Sequence, residues 1–274
     1  MSPFADIALA SRIERLGAES QRSFVAAYAQ LFPELGAESF EVAGGVAAFL
    51  EHGSPVNGAV GLGLDAEATA DDIAAVEAFF RDRAERPLIA LAPPAHPSLL
   101  TLLGQRGWVP SAFENVLVRD MVATERFEDP PADIDIRVAG DGSERALWAA
   151  LVANGFSAPD DPSETELRLG RAAVAAPDGC FLIAYVDGRP AGTGELHMSG
   201  GIGWLSADTT LPGYRRRGVQ RALQCARLAM VLDAGCELAL TEAIPGSGSQ
   251  RNMERLGFTI AYTRVEALAP DTPT

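Results

Sequence analysis

The sequence predicts an α/β protein with two similar halves, each a mixed, mainly antiparallel sheet flanked by helices. Both halves alternate amphipathic helical segments with short strands and a hairpin. A pattern of helix, glycine, aromatic residue and strand occurs at Gly107 and again at Gly257, 150 residues later. A segment rich in proline and acidic residues, Glu125–Asp135, separates the halves as a linker would. We therefore expect one domain over residues 1–124 and a second over residues 134–274.

The first half contains apolar periodicities and turn residues that predict three helices, a hairpin and two further strands. The hairpin turns at Gly53, Ser54 and Pro55. In chain order we expect a helix over Ala5–Leu31, hairpin strands over Gly45–Leu50 and Val56–Leu64, a helix over Asp71–Ala84, a strand over Leu88–Leu91, a helix over His96–Gln105 and a strand over Phe113–Arg119.

The second half repeats this order, and its hairpin turns at Gly188. Because Gly188 follows Gly53 by only 135 residues, we expect the first half to be 15 residues shorter and to lack the strand before its long helix. The expected elements are helices over Glu144–Asn154 and Ser163–Ala175, hairpin strands over Cys180–Val186 and Ala191–His197, a strand over Ile202–Thr209, a helix over Val219–Ala234, a strand over Glu237–Glu242, a helix over Ser249–Leu256 and a closing strand over Phe258–Val265.

The charge balance excludes several classes of partner. Lys and Arg number 22 against 37 Asp and Glu, a formal net charge of −15, so the surface repels nucleic-acid phosphates and anionic lipids. No apolar run approaches the roughly 18 residues of a membrane helix, and the first thirty residues do not resemble a secretory signal. Three scattered cysteines fit a reduced, cytoplasmic protein. The three histidines are isolated, and we expect no metal site.

One segment, Asp208–Leu223, carries a chemical signature: a strand, a tight loop of arginines and glycine, and an amphipathic helix. The first turn of a helix has unpaired N–H groups and a partial positive charge, which attract an anion. Arginines are unfavourable there without an anion, so the loop predicts a diphosphate site; the alternative is a solvated basic patch. The arginine stretch at 215–221 has one glycine and no Gly-Lys-Ser/Thr, so it matches neither dinucleotide nor ATPase loops.

These residues resemble the GNAT (GCN5-related N-acetyltransferase) family. Leu-Pro-x-Tyr and Arg-x-x-Gly at 211–218 follow a strand and precede a helix, a strand, a short helix and Gly-Phe, a resemblance covering residues 134–268 with a weaker echo over 35–122. It implies two tandem GNAT-like domains and acetyl-CoA as co-substrate, its pyrophosphate on the arginine loop and its pantetheine arm on strand amides. The implied cofactor-binding residues are Asp208, Thr209, Thr210, Leu211, Arg215, Arg216, Arg217, Gly218, Val219, Gln220, Arg221 and Asn252.

Two residues depart from the family pattern. Gln220 replaces a small residue, a mild change because backbone amides hold the phosphates. Met253 occupies the position of a tyrosine that acts as general acid in many family members, and methionine has no proton to donate. Ser249, Asn252 or water then supplies the proton, or the thiolate leaves unprotonated. Tyr262 on the last strand is a further alternative.

The resemblance implies an N-acetyltransferase in which an amine attacks the thioester directly. Candidate general bases are Glu242 and Asp208, at the ends of strands flanking the expected cleft, and then Glu195 on the hairpin. Each has a structural alternative: Glu195 an exposed strand carboxylate, Asp208 a partner for an arginine, Glu242 a cap of the following loop. The expected acceptor is a small-molecule amine; a protein amine and a homodimer stay open. The alternative function is a catalytically silent acyl-CoA sensor, motivated by Met253; a nucleotide-phosphate enzyme is disfavoured.

The first half carries acidic residues where the second carries arginines. Its loop over 64–73 contains Asp65, Glu67, Asp71 and Asp72, which would repel a diphosphate. Thr69 and Asp72 have the spacing of a capping box that satisfies the helix amides internally. We therefore expect the first half to bind no CoA and either to shape the acceptor pocket or to act only as a stabilising partner.

Overall fold

The structure is a computed structural model that describes residues 6–140, 142–157 and 161–271. It confirms every predicted helix and strand within a few residues. Its elements are α1 (Ile7–Leu31), β1 (Glu38–Val42), β2 (Gly45–Phe49), β3 (Gly58–Val60), α2 (Ala70–Arg81), β4 (Leu88–Leu91), α3 (Pro97–Gln105), β5 (Val109–Asp120), β6 (Ile134–Val138), α4 (Gly142–Phe156), α5 (Glu164–Ala175), β7 (Gly179–Val186), β8 (Arg189–Ser199), β9 (Ile202–Thr210), α6 (Val219–Asp233), β10 (Leu238–Ala243), α7 (Gly248–Arg255) and β11 (Thr259–Leu268).

The helix starts show how local sequence defines these elements. The carboxylate of Asp6 accepts from the Leu9 amide at 2.8 Å at the start of α1. Thr69 caps α2 and Ser163 caps α5, each in a reciprocal capping box. Helix α6 differs because its N-cap is Gly218, which has no side chain to accept these hydrogen bonds. The first amides of α6 therefore have no side-chain cap.

Two strands were missed by the sequence analysis, β1 and β6. Strand β1 pairs antiparallel with β2, and β6 pairs antiparallel with β7. Each is a five-residue strand with few buried residues, so its apolar pattern is weak. Because β6 begins at Ile134, the linker predicted over Glu125–Asp135 ends two residues earlier, at Asp133.

The predicted correspondence between turns of the two halves was wrong, because strand β1 had not been predicted. The turn between β1 and β2 has Ala43 and Gly44 at φ 49° and 78°, and the turn between β7 and β8 has Asp187 and Gly188 at 49° and 75°. These turns are the equivalent pair, 144 residues apart, so Gly53 is not the counterpart of Gly188. The first half does have a strand before its long helix, but β3 has three residues where β9 has nine.

One compact unit contains the described residues of 117–242 and 251–259. Its strand order is β10-β9-β8-β7-β6, with the last residues of β5 beside β10. From β9 to β6 neighbouring strands are antiparallel, whereas β9 and β10 run parallel. One face buries Trp148 of α4 against Phe181 of β7, with ring centroids 4.8 Å apart, and α6 packs on β8 and β9. This unit contains the arginine loop.

The other compact unit contains residues 6–116, 243–250 and 260–271. Its strand order is β1-β2-β3-β4-β11-β5. Strand β11, from the end of the chain, pairs antiparallel with β4, from Val265 opposite Leu91 to Leu268 opposite Leu88. The compact units therefore differ from two consecutive segments, and the division into domains over 1–124 and 134–274 stays a prediction.

A buried polar cluster accompanies β11 in this second unit. Glu14 of α1 accepts hydrogen bonds from the Tyr262 hydroxyl at 2.6 Å and from Arg264 Nε at 2.7 Å. Tyr262, an alternative general acid in the sequence analysis, is therefore occupied by a carboxylate. In the described part of the chain, no helix has the length and apolarity needed to cross a membrane.

Candidate active site

A cavity of about 630 Å³ lies where α6 begins and β9 ends, within the unit that contains the arginine loop. It brings together most of the residues that the sequence predicted for the cofactor. Leu211 and Arg217 are outside its wall, and the Leu211 amide instead donates to the Ala191 carbonyl at 2.9 Å. The predicted residues that line it are Asp208, Thr209, Thr210, Arg215, Arg216, Gly218, Val219, Gln220, Arg221 and Asn252.

The N-terminus of α6 presents free amides to this cavity. The first intrahelical hydrogen bond joins the Ala222 amide to the Gly218 carbonyl at 3.0 Å, so the amides of residues 219–221 precede it. Gly218 has φ 88°, which only glycine adopts readily, and the position lacks a side-chain cap. The partial positive charge of the helix is therefore directed at the cavity.

Three arginines add positive charge to the wall of the cavity. Arg215, Arg216 and Arg255 line it, and none pairs with a carboxylate of the described residues. The Nε of Arg215 donates to the Thr210 carbonyl at 3.2 Å, which holds the loop against the end of β9. Arg255, at the end of α7, was not predicted as a site residue. The cavity therefore favours a multiply charged anion.

Two other arginines of the loop are already paired with carboxylates. Arg217 Nη2 lies 2.8 Å from Asp133 and 3.4 Å from Asp187. Arg221 Nε lies 2.8 Å from Glu128, and this guanidinium holds the pKa of the Glu128 carboxyl below its usual value. The acidic segment before β6 thus lies along the start of α6, a contact that sequence analysis did not anticipate.

Strand β9 carries a bulge where it meets the cavity. Thr193 of β8 is opposite Thr209, but Glu195 is opposite Ser206, so β9 contains one extra residue. Ala207, within the bulge, has φ 52°. Residues 202–204 of β9 pair with residues 238–240 of β10. Further along β9, residues 208–210 line the cavity. The end of β9 therefore lines the cavity beyond the residues that pair with β10.

Arg227, which the sequence analysis missed, holds this bulge in place. Its side chain is completely buried, and Nη1 donates to the carbonyls of Glu195 at 2.9 Å and Ser206 at 3.0 Å. Its Nη2 pairs with the Asp208 carboxylate, which confirms the alternative that Asp208 partners an arginine. A Cβ at Gly194 would lie 2.7 Å from Arg227 Cζ, so only glycine leaves room for the guanidinium.

The four candidate catalytic residues occupy different places. Of the four, only Asp208 lines the cavity. Burial raises the pKa of Asp208, while the Arg227 guanidinium acts in the opposite direction. Burial also raises the pKa of Glu195, whose carboxylate accepts from Ser206 Oγ at 3.2 Å. Glu242 in β10 and Ser249 in α7 are half-buried and outside the cavity wall.

Residues of α7 and α6 meet at one side of the cavity. Asn252 Nδ2 donates to Gln220 Oε1 at 2.7 Å, so the residue that departs from the family pattern has a defined partner. Met253 is 1% exposed and is not part of the wall. The position of the family's tyrosine is thus occupied by a core residue.

Four wall residues were not predicted: Gly155, Phe156, Gln224 and Arg255. Gly155 lies close to β9, and a Cβ at this position would lie 2.3 Å from Thr209 Cβ. Gln224 could have been found by helical spacing, because it lies four residues after Gln220 on the same face. Its side chain is buried, and its Nε2 makes no hydrogen bond with any described residue.

The first half offers a direct contrast at the start of α2. The Asp72 amide donates to Thr69 Oγ1 at 3.2 Å, and the Thr69 amide donates to Asp72 Oδ2 at 2.7 Å. The predicted capping box is confirmed: the α2 amide of Asp72 is satisfied by a side chain, whereas α6 has no side-chain cap.

Comparison with known proteins identifies the kind of domain that contains the cavity. Residues 146–258 match the model of the acetyltransferase (GNAT) family. A GCN5-related N-acetyltransferase from Kribbella flavida superposes with a TM-score of 0.63 at 17% identity, covering 91% of this chain and 96% of that chain. A tandem GNAT protein from the clavulanic acid biosynthesis pathway also gives 0.63, at 16% identity over 100% and 98%. A GCN5-related N-acetyltransferase from Sphaerobacter thermophilus gives 0.53 at 22% identity over 69% and 62%. No curated protein sequence matches.

Proposed function

Because residues 146–258 are an acetyltransferase domain of the GNAT family, we propose that this chain transfers an acetyl group from acetyl-CoA to an amine by direct attack on the thioester. Acyl transfer from an acyl-CoA is the general activity of that domain; the acetyl group and the amine acceptor are the proposal. The observation that carries it is the uncapped N-terminus of α6, which faces a cavity whose wall holds three arginines free of described carboxylates.

The residues of the cavity fit a diphosphate-bearing co-substrate. The amides of residues 219–221 donate to the phosphate oxygens, and Arg215 and Arg216 supply charge-assisted hydrogen bonds. Gly218 lets the backbone approach the anion closely. Arg255 adds a further positive charge for a third phosphate group on the ribose. Together these groups bind the nucleotide end and anchor the reactive end beside β9.

The bulge of β9 is the proposed place of acyl transfer. Residues 208–210 line the cavity, and we propose that a backbone amide of one of them donates to the oxygen of the reacting carbonyl. Such a donor contributes roughly 3–4 kcal/mol to transition-state stabilisation. Arg227 is the positioning residue, because it holds the carbonyls of the paired residues Glu195 and Ser206 at one end of the bulge. The chain thus aligns the carbonyl before the amine arrives.

The general base for proton transfer is proposed by elimination among the candidate carboxylates. Asp208 is held by Arg227, so we propose Glu195 and Glu242 as bases that act through water. Burial moves the pKa of Glu195 upward, toward the range in which a base works near neutral pH. Asn252 can donate a hydrogen bond at the departing sulfur, whereas Met253 has neither a proton nor access.

The acceptor we propose is a small-molecule amine. A chain with net charge −15 attracts cationic molecules, and an amine is the nucleophile that the reaction requires. A panel of amines, assayed by thiol release from acetyl-CoA, tests this directly. Acceptor-dependent release supports the transferase; saturable acetyl-CoA binding without release for any amine would support the silent sensor instead.

The anion site is tested by calorimetry with acetyl-CoA. Arg216→Glu should weaken binding at least tenfold, because it replaces a charge-assisted hydrogen bond with a repulsion. Arg251→Glu is the matched control, since Arg251 is exposed on α7 and outside the cavity wall. Equal affinity of the two variants would contradict the proposed phosphate site.

A further inference from the structure

Gln224 in α6 is an unexplained polar side chain. It is 1% exposed, and its Nε2 makes no hydrogen bond with any described residue. Most buried polar groups in proteins are paired, because an unpaired buried donor destabilises the fold. Gln220, one turn earlier on the same helix, shows the usual situation, since its amide oxygen accepts from Asn252.

Gln224 belongs to the buried end of the cavity, away from the charged mouth. The lining residues Thr209, Val219 and Gln224 are buried, whereas Arg215 and Arg216 are exposed. Gln224 belongs to the second turn of α6, after the amides of residues 219–221 that begin the helix. It lines the same cavity as Asp208 and Thr209 at the bulge of β9.

The other polar groups of this buried wall already have partners. Thr209 Oγ1 lies 2.7 Å from Thr193 Oγ1, and the Asp208 carboxylate pairs with Arg227. Gln224 Nε2 is thus a buried donor of the wall that has no partner among the described residues. A neutral group is the suitable partner, because a phosphate buried there would lack the positive charges that the mouth supplies.

We propose that Gln224 is a binding residue that hydrogen-bonds an amide group in the neutral arm of the co-substrate, between its phosphates and its thioester. This inference rests on the proposed function. A primary amide carries both donors and an acceptor, so it matches an amide of the ligand, which also carries both. The terminal torsion of glutamine is soft, so Nε2 can turn toward a carbonyl oxygen at little cost.

The test measures two probes on one variant. Gln224→Leu should weaken CoA binding about two- to twelve-fold, the effect of one neutral hydrogen bond, and should leave ADP binding unchanged, because ADP has the diphosphate but no amide arm. Gln105→Leu, the same change at an exposed site at the end of α3, should alter neither affinity. Both ligands are titrated calorimetrically against the full chain.

Thermal unfolding of the ligand-free protein separates binding from a structural role. The Gln224→Leu variant should melt at the same temperature as the wild type or higher, because an unpaired buried amide is replaced by an apolar side chain of similar size. Unchanged CoA affinity, or a lower melting temperature without a selective loss of CoA affinity, would overturn the inference. If the wild type binds ADP but the variant loses both ligands equally, Gln224 acts on the phosphates and the inference is wrong. If the wild type binds neither probe, the phosphate site itself fails, and the proposed function with it.

Discussion

Arginine performs three different tasks in this chain, and burial separates them. Arg216 is exposed on the cavity wall and has no described carboxylate partner. Arg221 is paired at the surface with Glu128. Arg227 is completely buried and is saturated by two carbonyls and the Asp208 carboxylate. Residue type alone predicts a positive charge, but the surroundings determine whether that charge is available to a ligand.

Arg227 gives a prediction for stability. Arg227→Met leaves the buried Asp208 carboxylate uncompensated and should lower the free energy of unfolding by about 3–5 kcal/mol. Adding Asp208→Asn removes the orphaned charge and should recover part of that loss. Denaturant unfolding of both variants measures the effect, and a loss below about 1 kcal/mol for Arg227→Met would contradict the role assigned to the pair.

Glu195 gives a prediction for pH dependence. Burial raises the pKa of Glu195 above its usual value near 4.5, so the folded state binds its proton more tightly than the unfolded state does. The stabilisation is complete below the unfolded pKa and is lost as the pH rises through the folded pKa. Unfolding free energies measured from pH 4 to pH 8 should therefore fall more steeply for the wild type than for Glu195→Gln.

The control for this titration is Glu34→Gln, at an exposed position in the first half. It should follow the wild-type pH profile, because the substitution leaves the buried Glu195 carboxyl in place. Parallel profiles for wild type and Glu195→Gln would show that burial does not perturb Glu195.

At the scale of elements, two helices with the same position in their halves start in opposite ways. Helix α2 begins with a capping box that uses its amides internally, and α6 begins with a glycine that leaves them free. Acidic residues suit the start of α2 because they complement the helix dipole. Arginines at the start of α6 oppose the dipole and make sense only with a bound anion or paired carboxylates.

The acidic segment along α6 gives a prediction for affinity. Glu128 neutralises Arg221, a cavity residue, so it competes with the ligand for that charge. Glu128→Gln should tighten CoA binding roughly two- to five-fold at low salt, as expected for one exposed ion pair, and the gain should shrink as salt is added. Weaker CoA binding by this variant in calorimetry would show that Glu128 supports the loop instead of competing with the ligand.

At the scale of the whole molecule, the two halves share a pattern of turns and helices but differ in charge. The loop before α2 is acidic, and β3 has three residues where β9 has nine. We predict that acetyl-CoA binds with a stoichiometry of one per chain, both in the wild type and in Asp71→Ala/Asp72→Ala. Calorimetry measures this ratio, and two equivalents bound to the wild type would contradict a silent first half.

Much of the fold could be predicted because its signals are local. The capping box of Thr69 follows from residues three apart, and the end of α3 at Gly107 follows from one glycine that adopts φ 73°. Strands β1 and β6 were missed because their few buried residues give no clear alternation. That omission shifted the predicted repeat by one hairpin, although Gly44 and Gly188 carried the correct match.

The residues of the candidate site likewise divide into those that local sequence predicts and those that it does not. The residues from Asp208 to Arg221 were found because they are consecutive in the chain, and their chemistry is visible without a structure. Gly155 and Arg255 were not found, because they reach the cavity from distant elements. Asp133 and Glu128 were known as linker acids, but their pairing with Arg217 and Arg221 spans 84 and 93 residues.

The sequence by itself determined the helices, most strands and an arginine loop at a helix start, because these depend on residues within one or two turns of each other. Only the tertiary structure decided which arginines have no carboxylate partner among the described residues, that Arg227 holds the bulge and that β11 pairs with β4. It also decided that Gln224 Nε2 makes no hydrogen bond with a described residue. Burial and pairing between distant segments set the energy of a charge or a polar group. Neither is encoded in the neighbouring residues.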